Sequence, residues 1–249
     1  MIRRSLGLLR SVIVYWRPGR QPRLRRLYAP FVGAGDLVFD VGAHLGDRTA
    51  AFASLGAQVV AVEPQPELVP WLRRLVGRRP GVVIRQYAVG AAPGTAPLAV
   101  SDTHPTVSTL AAGWRARIGE VNPTFRRVQW GRTVDVSVTT LDELIREFGE
   151  PRFCKIDVEG FEVEVLTGLS RPIACLSVEW VSGSLDVTEG CIDRLAELGD
   201  YEFNVIPGEE RRFVFPNWQT SVEIREWLRL GAGGSSSGDL YARLREGRR

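Results

Sequence analysis

The stretch Leu37-Val38-Phe39-Asp40-Val41-Gly42-Ala43-His44-Leu45-Gly46 constrains the fold more than any other part of the chain. Leu37, Val38 and Phe39 form an apolar run that enters Asp40, and residues 47–53 follow with the composition of a helix. Gly42 and Gly46 bracket the turn between them. Strand, glycine turn and helix in this order bring backbone N–H groups and a helix N-terminus toward a ligand. A second acid, Glu63, closes the next apolar run. It lies roughly 20 residues on, where a nucleotide-binding fold carries its ribose-binding carboxylate.

The glycines are spaced D-x-G-x-x-x-G, not G-x-G-x-x-G. His44 stands where a pyrophosphate needs glycine for close approach, and Asp40 places an anion at the mouth of the turn. A sulfonium nucleoside with an amino group and no phosphate suits such a turn, so the pattern favours S-adenosylmethionine over NAD. An NAD-dependent oxidoreductase is disfavoured on the same ground.

Residues 36–90 alternate strand and helix: 37–41, 47–54, 58–63, 66–77 and 82–88. Residues 91–133 are rich in Pro, Gly, Ser and Thr and read as a substrate-side insertion with a short strand at 96–100 and a short helix at 115–117. Regularity returns with strand 134–138, helix 141–148, strand 152–157, helix 161–169, strand 173–180 and helix 187–198. Strands 201–206 and 211–215, helix 223–230, a flexible loop 231–238 and a last strand 239–244 complete the pattern. Alternation with near-continuous apolar strands predicts an α/β domain over 36–249, its parallel sheet covered on both faces.

Residues 1–35 hold eight arginines and no acid. Ile2, Leu6, Leu9 and Ile13 lie at helical spacing, so this extension reads as a basic amphipathic helix packed on the domain in preference to a membrane surface. Arg10 interrupts its apolar run, which argues against an export signal, and no run reaches the roughly 18 residues of a membrane span. Cys154, Cys175 and Cys191 lack metal-site spacing and read as buried thiols of a cytoplasmic protein. The net charge of +3 does not by itself point to nucleic acid. The basic N-terminus with Trp16, Trp114 and Trp130 nevertheless keeps an RNA or other nucleic-acid methyltransferase or binding protein as the alternative reading.

The second informative stretch is Phe153-Cys154-Lys155-Ile156-Asp157-Val158-Glu159-Gly160-Phe161. Lys155 is the only lysine in the chain, and in a strand it shares a face with Asp157. Asp40, Glu63, Asp157 and Glu179 all close apolar strands, so four acids gather on the edge of the sheet where α/β folds bind ligands. Glu159 equally suits the dipole of the following helix, and Glu179 reads as a structural acid. Magnesium at Asp157 and Glu159 is a lesser alternative, and no metal site is assigned. Asp157, Lys155 and His104 are the candidates for catalysis, Asp157 to orient or deprotonate an acceptor and Lys155 to fix that carboxylate.

Together these stretches resemble the FkbM family of S-adenosylmethionine-dependent methyltransferases, over about residues 30–185. The resemblance is carried by Val38 to Asp47, Val62-Glu63-Pro64, Ala88-Val89-Gly90, Ser108-Thr109-Leu110, Lys155 to Glu162, and Val165-Leu166. His44 departs from the asparagine often found there. The resemblance implies a class I methyltransferase fold, a seven-stranded mostly parallel sheet with helices on both faces and the last strand antiparallel. It implies that Asp40, Gly42 and Gly46 cradle the methionine end of S-adenosylmethionine, that Glu63 binds the ribose, and that Ala88 and Val89 lie near adenine. Ala43, His44, Ser108 and Asp157 complete the candidate cofactor set. The implied reaction is O-methylation of a sugar, a natural product or another small molecule or glycan.

Overall fold

The computed structural model describes residues 7, 11–101 and 103–245. After a helical segment at 11–15, α1 (Arg20–Tyr28) leads into β1 (Leu37–Val41), α2 (Asp47–Ser54), β2 (Gln58–Val62), α3 (Val69–Val76) and β3 (Val82–Arg85). Then come β4 (Ala88–Val89), β5 (Gly94–Val100), a 3-10 turn at Pro105–Val107, α4 (Ala112–Val121), β6 (Arg132–Thr139) and α5 (Leu141–Phe148). The chain continues through β7 (Phe153–Ile156), α6 (Glu162–Thr167), β8 (Cys175–Val181), α7 (Leu185–Leu198) and β9 (Tyr201–Pro207). It ends with α8 (Ser221–Arg229), a 3-10 turn at Ala232–Gly234 and β10 (Ser237–Leu244).

Seven strands form the main sheet in the order β3-β2-β1-β7-β8-β10-β9. All neighbours run parallel except β10, which is antiparallel to both β8 and β9. This is the class I methyltransferase architecture. Adjacent residues of one strand feed opposite faces: Phe39 and Val60 enter one apolar cluster, Val38 and Val59 another. Both faces are therefore covered, which is what near-continuous apolar strands require. Because β1, β2, β7 and β8 run the same way, Asp40, Glu63, Asp157 and Glu179 reach one rim.

Several expectations are corrected. The expected strand 82–88 is two strands: β3 ends at Arg85, and β4 leaves to join a second, three-stranded sheet in the order β4-β6-β5. The insertion 91–133 is accordingly structured, with β5 and α4 longer than their apolar runs. Residues 211–215 form no strand: along the free edge of β9 they make one backbone bond, Val214 N–H to Val205 O, while the Asn204 side chain takes the N–H and C=O of Phe215. The 231–238 stretch is partly ordered: Ala232 is buried and β10 begins at Ser237. Ile2, Leu6 and Leu9 lie outside the described residues, and Ile13 is exposed. Within the N-terminal extension, Leu24, Leu27 and Tyr28 of α1 pack with Phe52, Phe153 and Tyr241 of the domain. No helix of the described residues is long and apolar enough to cross a membrane.

Candidate active site

A cavity of about 1010 Å³, open mouth included, lies over the C-terminal ends of β1, β2 and β7. Its first wall is the glycine turn. Gly42 sits at φ +81°, and a Cβ there would lie 1.8 Å from the Asp157 carbonyl oxygen, so only glycine fits between β1 and β7. Gly46, at φ +77°, starts α2 hard against Leu72 and Val76. The N–H groups of Gly42 and Ala43 both donate to Val62 O, at 2.9 and 3.0 Å. The His44 N–H donates to Glu63 Oε2 at 2.8 Å, with His44 itself at φ +49°. These amides hold the turn against β2 rather than facing a ligand, so the polarity of this wall comes from side chains.

Glu63 is buried, and its other oxygen, Oε1, accepts from Gln65 N–H at 2.9 Å. Burial pushes its carboxyl up to about 7 against the pull of those two amides. Each oxygen keeps a lone pair for a further donor. Burial likewise holds the His44 imidazole down at about 4, so it is neutral at pH 7. Five shielded atoms of lining residues have no partner among the described residues: His44 Nε2, Arg48 Nε and Gln65 Oε1 around the glycine turn, and Glu159 Oε2 and Glu179 Oε2 across from them. A carboxyl, a guanidinium and an amide around one cavity fit the groups of a zwitterionic sulfonium nucleoside with a ribose.

Beneath the cavity lies a buried ion pair. Asp40 and Lys155 are register partners on β1 and β7. Asp40 is buried and accepts from Thr49 Oγ1 at 2.5 Å; burial raises its carboxyl, opposed by Lys155 and that bond. Lys155 is 1% exposed, with Nζ 2.6 Å from Asp157 Oδ2. Burial alone would lower the ammonium and raise the carboxyl. Their mutual attraction outweighs it, holding Lys155 above and Asp157 below their usual ranges. Asp157 lines the cavity; Asp40, Gly46 and Lys155 support it from behind.

Glu159 and Glu179 also line it, and ligand oxygens of Asp157, Glu159 and Glu179 lie within 4.8 Å of one another. Burial raises the Glu159 and Glu179 carboxyls well above their usual range, helped by their acidic neighbours. Ala88, Val89 and Ser108 face the same cavity. His104 is not among its lining residues; its Nδ1 lies 3.0 Å from Thr103 Oγ1 on the insertion. Trp114 is buried against Phe125 and Trp130, a packed aromatic group rather than an exposed stacking row.

Residues 40–182 match the methyltransferase FkbM domain. The chain belongs to the FkbM methyltransferase family. Residues 40–182 are its methyltransferase domain, and the cofactor of that domain is S-adenosylmethionine. This FkbM protein is 28% identical over 146 residues to hexuronic acid methyltransferase AglP of Haloferax volcanii, covering 55% of this chain and 52% of that one. It thus spans about half the length of that relative. Among solved structures it overlaps precorrin-6y C5,15-methyltransferase from Geobacter metallireducens at TM-score 0.47 and 12% identity, over 91% of this chain and 86% of that one. It overlaps Aeropyrum pernix fibrillarin with bound S-adenosyl-L-methionine at TM-score 0.45 and 12% identity, over 85% and 68%.

Sequence reasoning missed Tyr15, Arg48, Gln65 and Glu209 on the lining of the FkbM cavity. The Tyr15 ring stands edge-on to His44 at 5.2 Å, and the Arg20 guanidinium lies over the Tyr15 ring at 5.0 Å. Trp16 Nε1 donates to Leu45 O, and Arg20 Nε meets Asp47 Oδ2 at 2.6 Å. The N-terminal segment therefore clamps the glycine turn from outside. Only the long contact distance in sequence hid it: no local motif marks these residues.

Proposed function

We propose that this methyltransferase transfers its methyl group to a hydroxyl oxygen of a sugar, a glycan or a similarly hydroxylated small molecule. The observation that carries this reading is the acidic half of the cavity, where Asp157, Glu159, Glu179 and Glu209 border one space. Each carboxyl group offers several acceptor lone pairs, so a cavity bordered by four of them suits a molecule that offers many O–H donors. The name of the AglP relative, a hexuronic acid methyltransferase, supports a carbohydrate acceptor.

The cofactor supplies an electrophilic methyl group on a sulfonium. The chain's part is to hold it and to align the attacking oxygen, which can itself supply several kcal/mol. Glu63 takes the ribose hydroxyls on its free lone pairs, and Ala88 and Val89 flank the adenine. Arg48, with an unused shielded N–H, takes the cofactor's carboxylate. Asp157 orients the acceptor, and Lys155 fixes the Asp157 carboxylate from below.

The test is methyl transfer to a panel of sugars, uronic acids and hydroxylated metabolites, read by mass spectrometry. Methylated sugar products are expected. Methylated RNA with no sugar product overturns the acceptor assignment. Asp157→Asn is expected to lower turnover about a hundredfold or more while the heat of S-adenosylmethionine binding persists; normal turnover overturns the role given to Asp157.

A further inference from the structure

We propose that Asp157, Glu159 and Glu179 bind a divalent cation of the magnesium or manganese class beside the methyl-transfer site. The inference rests on the methyltransferase reading only for what the ion would hold, and the ion's binding is measured without any acceptor.

The three residues each present an oxygen, and those oxygens lie within 4.8 Å of one another. One small ion with carboxylate bonds of about 2.0–2.1 Å for magnesium draws such a set together with minor side-chain adjustment. The cluster is not a mere patch of surface acids. All three residues are half-buried as a whole, and Glu159 is the most enclosed of them within the cluster. Glu159 Oε2 and Glu179 Oε2 are both shielded from solvent, and neither finds a hydrogen-bond partner. A buried carboxylate oxygen without a partner is costly, and native proteins rarely leave one unexplained.

Counter-charge is also short. Lys155 is committed to Asp157 Oδ2, which leaves Asp157 Oδ1 as its free ligand oxygen. Arg48, the cation on the lining, lies against Asp47 and Glu209 at 3.4 and 3.7 Å. Among the described residues Glu159 and Glu179 are therefore left with no cation paired to them, and a divalent ion would supply that counter-charge as it displaces their protons. Glu162, another acidic neighbour, is occupied: its Oε1 accepts the N–H groups of Val158 and Gly160.

The donor set selects the ion. Carboxylates with no histidine or cysteine suit magnesium or manganese rather than zinc or copper. The Lys155 bond to Asp157 is the outer support that ligating carboxylates usually have. All three residues border the cavity, so the remaining positions on the ion open toward it. Vicinal oxygens of an acceptor, or water, complete the coordination there, and this places a hydroxylated acceptor by chelation rather than by carboxylate contacts alone.

The experiment uses the full chain stripped of metal by chelation and titrated with Mn²⁺, with the free-ion electron paramagnetic resonance signal as readout. One saturable site is expected, competed away by Mg²⁺. Glu159→Gln and Glu179→Gln should each weaken it about tenfold or more, while Asp135→Asn on exposed β6 leaves it unchanged. Both glutamine variants keep the side chain's size and remove a buried ionisable group that has an unpartnered oxygen, so they should melt no lower than the parent without metal. Mn²⁺ should raise the melting temperature of the parent and not of the variants. Absence of saturable binding, or binding undiminished in both variants, overturns the proposal. Calorimetry with S-adenosylmethionine on the same samples separates the two readings. Cofactor heat without a Mn²⁺ site removes the ion and leaves the enzyme; no cofactor heat removes the enzyme reading instead.

Discussion

At the ends of β1 and β2, neither Asp40 nor Glu63 leaves a shielded oxygen unpaired, because Thr49, His44 and Gln65 donate to them. At the ends of β7 and β8, Glu159 and Glu179 each keep a shielded oxygen with no donor. The side-chain chemistry is the same, and the surroundings differ. The first edge faces the glycine turn, whose amides are bound into it; the second faces the open cavity and one ammonium. The first edge is finished by the protein itself and the second by what enters the cavity. A pocket for a constant cofactor and a variable acceptor needs that division.

The contrast is broken most severely at the first edge. Gly42→Ala drives a methyl group into the Asp157 carbonyl and strains a left-handed residue. A loss of about 4 kcal/mol of stability is expected in denaturant titration, with cofactor heat abolished. At the second edge, Lys155→Met removes the cation that Asp157 depends on. It should cost about 3 kcal/mol, and Asp157→Asn in the same chain should recover part of it, a coupling that a double-mutant cycle measures.

Glu63→Gln tests whether a finished edge still serves a ligand. Its folded carboxyl titrates at about 7, above the ordinary 4.5. The stability it contributes to the ligand-free protein is therefore fully present below 4.5 and lost as pH rises through about 7. Ribose hydroxyls need the ionised form, so cofactor affinity should strengthen over that same window. Glutamine should weaken binding about tenfold at neutral pH, or 1.4 kcal/mol, and flatten the pH dependence seen by calorimetry. The smallest effect is expected outside the cavity, where Trp16→Phe removes the donor to Leu45 O. About 1 kcal/mol of stability should be lost, with little change in affinity.

The β1–turn–α2–β2 unit was readable because its signals are local: apolar runs, two glycines and acids at strand ends. Glu63 and Asp157 followed from the same rule, since parallel strands deliver their C-terminal residues to one rim. The second sheet was harder to read. β5 and β6 are largely half-exposed, and Pro97 and Thr133 mask the apolar alternation of an antiparallel pair. The Phe213 and Phe215 alternation looked like a strand but serves packing, one ring on each apolar cluster. Tyr15, Arg48 and Glu209 come from distant segments, and only the folded chain brings them together. Glu179 was visible as a strand-end acid, yet its lack of a partner is a property of its neighbours.

The clamp made by Tyr15, Trp16 and Arg20 bears on how this protein can be cut. A fragment trimmed to the matched stretch 40–182 would discard it along with β8's partner β10 and the whole of α1. Phe52 and Phe153 would then face water where Tyr28 and Tyr241 had covered them. Such a fragment should come out sticky and unable to hold its turn closed, so the recognisable half of the gene is the wrong half to express alone.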